Sequence, residues 1–479
     1  MAPKVRLSEA LLAQVLDRLC RFHHYLSRLE LDSSRAELLL VRLFDNFLDQ
    51  IRCGLAEKLF PRMVPGARRG VSEDARIRTL LLVATQLDTL LLGTQVFPRG
   101  RPSPQTYTFV EQAFPFVPQL RHRLTIILWP VYNFAEEDFR QSLEEALKLR
   151  EEAPTSNTAR RQITLYLTES ESANPSMWCI LGHEMGHAIE EQGNLGNKAW
   201  ESLQFRSTDR AAWEMLYVRE WVRELIADEI ALRVLGPAYF CAFAFLSLTE
   251  SSTLGLYPTH PPSWTRVQRL YALIGEEDRD ETVQGYYELL QLRVAYDRRH
   301  GVDDIELSSI TWDDIFASVS READTAFAGA SFPPPEQHWK IGAALASPLH
   351  DGLPISTAAP ADLDELHERA VQLRRRSAST GPRAHRNNLA QELQDLKTCF
   401  KEIPNHPLAV LSAAWIDGLQ SITGRCSKLL AGLPDFSDQA RWTTDAERRT
   451  LEWGEDAAYR DRLLLKSLEI SSFLVTRSQ

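Results

Sequence analysis

Near the start of the chain, apolar residues recur at helical spacing in three blocks, 8–29, 34–60 and 72–93. Each block opens on a serine able to cap a helix, which predicts an N-terminal helical bundle. From Phe97 to Pro118, prolines and polar residues break the pattern and read as a connecting segment, placing a unit boundary near residue 96. The run LTIILW (124–129), the amphipathic FAEEDFRQSLEEALKLREE (134–152) and the alternating RQITLYLT (161–168) predict strand, helix and strand. Helical patterns then begin at Pro175, with Asn174 as a candidate cap, and again at 211–236. The most apolar stretch, Tyr239 to Leu248, is about ten residues long where a bilayer crossing needs roughly twenty, so it predicts a buried helix.

Past Glu276 the helical period returns in GYYELLQLRVAYDRRH (285–300), ADLDELHERAVQLRRR (361–376) and RDRLLLKSLEISSFLV (460–475), with a Pro-rich interruption from Phe332 to Pro360. The expected fold is therefore α+β and predominantly helical, with a small β-sheet. Its units are an N-terminal helical region (1–96), a central core (97–275) and a C-terminal helical region (276–479).

Charge narrows the function classes. Fifty-four Lys and Arg against 65 Asp and Glu give a net charge of -11, which supplies no general attraction to nucleic acid or anionic lipid. The basic run 374–386 carries Ser, Gly and Pro without interleaved aromatics and reads as a solvated loop. The six cysteines are dispersed with no CxxC pair, as free thiols of a reducing compartment would be. No secretory leader or membrane span is evident near the start, so a cytoplasmic location is expected.

One segment carries chemistry. His183-Glu184-Met185-Gly186-His187 is an HExxH match inside a helical pattern, expected by chance roughly 0.02 times per chain of this composition. On a helix, i and i+4 share a face, so both imidazoles can bind one zinc ion while Glu184 stays free to take a proton from the attacking water. A hydrolytic zinc needs a third protein ligand. The metzincin extension is absent, since Glu190 and Gly193 stand where its Gly and His would be. Downstream, Glu224 and Asp228 lie at i and i+4 of the next helical pattern. Glu224 is the candidate ligand, and Asp228 the carboxylate that orients a ligating histidine. The remaining histidines outside residues 183–187 and 260 form no competing site.

HEMGH followed by ELIAD, a buried helix and then THPPSWTRVQRL resembles the gluzincin metallopeptidases of the CAAX prenyl endopeptidase and HtpX type, over residues 134–275. The resemblance implies a Zn²⁺ cofactor and a polypeptide substrate. It also implies that His260 is a donor aimed at the oxyanion, and that Ile163, Thr164, Leu165, Tyr166 and Leu167 form an edge strand pairing with the substrate backbone. Unlike many members of that family, this chain shows no spanning segment. The large flanks leave room for a regulatory protein partner, as in a stress or phage-defence effector. The alternative is a non-catalytic scaffold in which zinc staples two helices.

Overall fold

The computed structural model describes residues 6–28, 72–94, 104–114, 123–129, 133–137, 162–168, 174–209, 211–327, 335–350 and 408–418, with a few helical residues between 461 and 468. The block 34–60, the segments 138–161 and 361–376, the basic run 374–386 and the boundary near 96 lie outside them. The described part is predominantly helical. Two N-terminal helices, α1 (Leu7–Arg28) and α2 (Glu73–Thr94), match two of the predicted blocks and pack on each other. A third, α3 (Pro104–Ala113), precedes a three-stranded sheet of β1 (Arg123–Trp129), β2 (Asn133–Glu137) and β3 (Gln162–Thr168).

After a 3-10 turn (Pro175–Ile180) the helical body follows. It comprises α4 (Leu181–Gly193), α5 (Leu195–Ser202), α6 (Ala211–Leu235), α7 (Pro237–Ser247), α8 (Ser263–Leu273), α9 (Glu281–Arg299), α10 (Trp312–Ala326) and α11 (Pro335–His350). Among the described residues no helix is long and apolar enough to cross a membrane. The apolar stretch at 239–248 is buried in α7, as its length requires.

Three local expectations are corrected. Residues 133–137 form a strand, not the start of a helix at 134, because β2 pairs antiparallel with β3 and Phe134 stands opposite Leu165. A short amphipathic run satisfies either period, and only the distant partner decides. The supposed connector 97–118 contains α3, and the supposed interruption 332–360 contains α11. In both, the proline that looked like a breaker is the first helical residue, where its missing N–H and fixed φ cost nothing. Pro175 and Pro237 open their helices in the same way, and Asn174 makes no side-chain cap bond.

The core runs through residue 275 without a break in packing: α9 lies against α7 and α8, and α10 against α5 and α6. Helix α6 is its spine. Val218, Trp221, Val222, Ile226, Ile230 and Ala231 are all fully buried along it. Two further α6 residues are buried carboxylates, each tied to other elements. Glu229 accepts from Arg269 Nε of α8 (2.9 Å) and Ser320 Oγ of α10 (2.8 Å). Glu214 accepts from the backbone N–H groups of Ser308 (2.8 Å) and Ser309 (2.7 Å) and from both hydroxyls, which fixes the loop entering α10.

Burial alone would raise the Glu214 carboxyl, but the Ser309 and Ser308 donors outweigh it and hold it below its ordinary 4.5. A depressed folded pKa gives stability that is present above the unfolded value and disappears as pH falls through the folded one. Glu214→Gln should therefore be less stable than wild type at pH 7, by roughly 1–3 kcal/mol, with the gap closing below pH 4.5. Denaturant unfolding of both proteins across pH 7 to 3 measures this, and a constant gap would exclude the role.

Candidate metal centre

The site is made where α4 crosses α6. A Cβ on Gly186 would stand 2.5 Å from the backbone oxygen of Ala227 and 2.7 Å from its Cα, so only glycine lets the two backbones come this close. Gly182, one turn earlier, faces side chains of α6 rather than its backbone, those of Leu235 and Ala231. One turn beyond His187, Arg223 Nε of α6 donates to the buried Glu190 of α4 at 3.1 Å. Ala227 lies between Glu224 and Asp228, so this contact sets both carboxylates against the HExxH face.

Three side chains converge there. His183 Nε2 and His187 Nε2 are 3.1 Å apart, His183 Nε2 is 3.2 Å from Glu224 Oε2, and His187 Nε2 is 3.3 Å from Glu224 Oε1. Ligands about 2.0–2.1 Å from a tetrahedral zinc are separated by about 3.3 Å from one another, so the spacing fits that ion. Among the described residues, His183, His187 and Glu224 are the group able to hold a metal. Glu224 Oε2 is buried and accepts no hydrogen bond of good geometry, an orphaned oxygen that a cation would satisfy.

Behind His183 stands Asp228, whose Oδ1 is 2.9 Å from His183 Nδ1. A ring N–H facing that carboxylate leaves the lone pair of Nε2 for a metal. Asp228 is itself held from every side. Arg266 Nε donates to Oδ2 and Arg266 Nη2 to Oδ1, both at 2.7 Å, and Tyr239 OH donates to Oδ1 at 2.6 Å. The Arg266 guanidinium lies 4.4 Å over the Phe243 ring and reaches within 3.7 Å of Glu224 Oε2.

The electrostatics suit a cation. Burial would push the His183 imidazolium down, but Asp228 and Glu224 reverse this and hold it up at about 10. Burial acts to raise Glu224 and Asp228 too. The two histidines overcome it for Glu224, and Arg266 with His183 for Asp228, so both carboxyls sit well below their usual range. Burial raises Glu184, which is only 6% exposed, despite the opposing pull of His183 and His187.

His260 also reaches the site. Its Nε2 is 3.4 Å from Glu224 Oε2, its Nδ1 is 2.7 Å from Thr259 Oγ1, and its side chain is 51% exposed. Burial lowers its pKa, against the pull of Glu224. The strand 163–167 does not take the expected place. It is the central strand, paired in parallel with β1 on one side and antiparallel with β2 on the other, so its backbone has no free edge for a substrate. Leu165 and Leu167 are buried and Tyr166 is half-buried, as the alternation predicts.

Two contributors carry no readable sign in the sequence. Tyr239 looks like one more apolar residue of α7, and Gly186 occupies a position that HExxH leaves unspecified. Arg266 was legible only as a partner for some carboxylate. Comparison with protein-family models, curated proteins and solved structures found no match.

Gly186→Ala should be destabilising by roughly 1–3 kcal/mol although alanine favours helix, because the added methyl must push α4 off the α6 backbone. The separation moves Glu224 away from the histidines, so bound zinc measured by elemental mass spectrometry should fall well below that of wild type. Full zinc content and unchanged stability in this variant would contradict the packing argument.

Proposed function

We propose that the protein is a zinc-dependent endopeptidase that cleaves polypeptides with Glu184 as general base. The observation that carries this reading is the convergence of His183, His187 and Glu224 at the spacing of a tetrahedral zinc, with Asp228 behind one histidine and the buried Glu184 in the same helix turn. A zinc ion held by those residues would supply Lewis acidity, lowering the pKa of water and polarising a scissile carbonyl.

The chain's own residues do the rest. Glu184, its carboxyl raised above the ordinary range by burial, takes the proton of the attacking water and returns it to the leaving amine. His260, half in solvent and 3.4 Å from Glu224, donates to the oxygen on which charge develops. Arg266 and Tyr239 hold Asp228, which holds the ring of His183. A polypeptide fits better than a small molecule because, among the described residues, the sheet keeps an edge near this helix. That edge is β2, which packs on α4, and an extended peptide would add to it rather than to β3.

Wild type and Glu184→Gln, purified as the full chain, should each carry one zinc. Only wild type should generate new N-termini in a cell lysate, with a rate difference of about 10² to 10⁴. Zinc in both with no wild-type termini would leave the metal as a staple between α4 and α6, and no zinc in either would remove the basis of the proposal.

A further inference from the structure

His260 sits near the end of a fifteen-residue connection, 248–262, between α7 and α8. Its neighbours from Leu256 to Thr259 are exposed, while Pro261 and Pro262 on its other side are buried, and its Nδ1 is 2.7 Å from Thr259 Oγ1, so where the imidazole stands depends on how the connection itself is held. The root of the connection is held instead by α9. Arg293 is fully buried, and its Nη2 donates to the backbone carbonyls of Glu250 (2.9 Å) and Ser251 (3.3 Å). Its Nη1 donates to Asp297, one turn on. Asp297 Oδ2 in turn accepts from the backbone N–H of Thr253 (3.0 Å) and from Thr253 Oγ1 (2.8 Å).

Further ties close the segment on itself. Trp264 N–H donates to the carbonyl of Thr253 at 3.0 Å, Ser263 Oγ donates to the Glu250 carboxyl, and Trp221 Nε1 of α6 donates to the carbonyl of Tyr257 at 2.9 Å.

A buried guanidinium–carboxylate pair is a costly way to fill space, since apolar residues of similar volume do so at no loss of stability. Apart from each other and the Tyr296 ring of the same helix, 5.6 Å from the guanidinium, the groups this pair bonds are backbone groups and one hydroxyl of the connection that carries His260. We infer that Arg293 and Asp297 are positioning residues for His260: the pair clamps Glu250, Ser251 and Thr253, and so sets where the imidazole stands beside Glu224. The inference rests on the proposed role of His260 as oxyanion donor. It assigns to α9, beyond residue 275, a part in the chemistry that no residue near the motif reveals.

The test uses the full-length chain with Arg293→Lys, the milder Thr253→Val, and His260→Ala alone and combined with each. Cleavage of a mixed-sequence quenched-fluorescence peptide library gives kcat/KM. The cobalt-loaded protein gives the paramagnetically shifted ring signals of His260, identified by their loss in His260→Ala. The expected result is a loss of roughly ten- to a hundredfold in kcat/KM for both clamp variants, with metal content unchanged and no further loss in the His260→Ala background. The His260 ring signals should move while those of His183 and His187 stay.

Equal losses in both backgrounds, or unmoved His260 signals, would reduce the pair to a structural role and overturn the inference, and the spectra decide this even if the library is not cleaved. If His260→Ala changes neither rate nor spectrum, the inference falls with the role of His260, while cleavage lost only in Glu184→Gln would leave the peptidase reading standing.

Discussion

The contact between Gly186 and the backbone of Ala227 is the constraint on which the site depends. Two helices normally pack with side chains between them, their axes about 8–10 Å apart, whereas the bare backbone at Gly186 lies directly against that of Ala227. Removing the Cβ at Gly186 lets α4 settle on α6 at the one residue flanked by Glu224 and Asp228. The ligand set is then a matter of periodicity: His183 and His187 one turn apart on one helix, Glu224 and Asp228 one turn apart on the other. Glycine costs helix stability in isolation, and here that cost is offset by the packing it permits.

Helix α6 buries an unusual amount of charge, and each buried carboxylate has a separate task. Glu214 fixes the loop before α10, Glu229 joins α8 and α10, Asp228 orients His183, and Glu224 faces the histidines. Unpaired, any of them would be strongly destabilising. Three are saturated by protein donors, whereas Glu224 keeps an oxygen without one. That asymmetry, inside a helix otherwise careful to satisfy its acids, separates the candidate metal ligand from its structural neighbours. It also argues that α10, beyond residue 275, is part of the site's support.

Much of this was legible in the sequence for a physical reason: HExxH and ExxxD are local patterns, and helical geometry alone converts their spacing into shared faces. The buried α7 and the half-buried alternation of Leu165, Tyr166 and Leu167 are as anticipated, and His260, singled out by the resemblance alone, stands 3.4 Å from Glu224. What failed depends on partners far along the chain. The segment at 133–137 has helical amphipathicity until β3 claims it, and the order of strands, which puts β3 in the centre, is invisible to periodicity. Pro104 and Pro335 look like breakers in the sequence because proline breaks a helix in its interior, yet each opens one at its first turn. Tyr239, Arg293 and Asp297 were passed over because a polar group inside an apolar pattern declares itself only when its buried partner is known.

X-ray absorption at the zinc edge of the purified protein would decide whether α4 and α6 hold a metal between them. His183, His187 and Glu224 should give one zinc with nitrogen and oxygen neighbours at about 2.0–2.1 Å, including the outer-shell scattering of two imidazoles, and a coordination position left for solvent. Sulfur neighbours at about 2.3 Å, or a chain that retains no zinc at all, would contradict it.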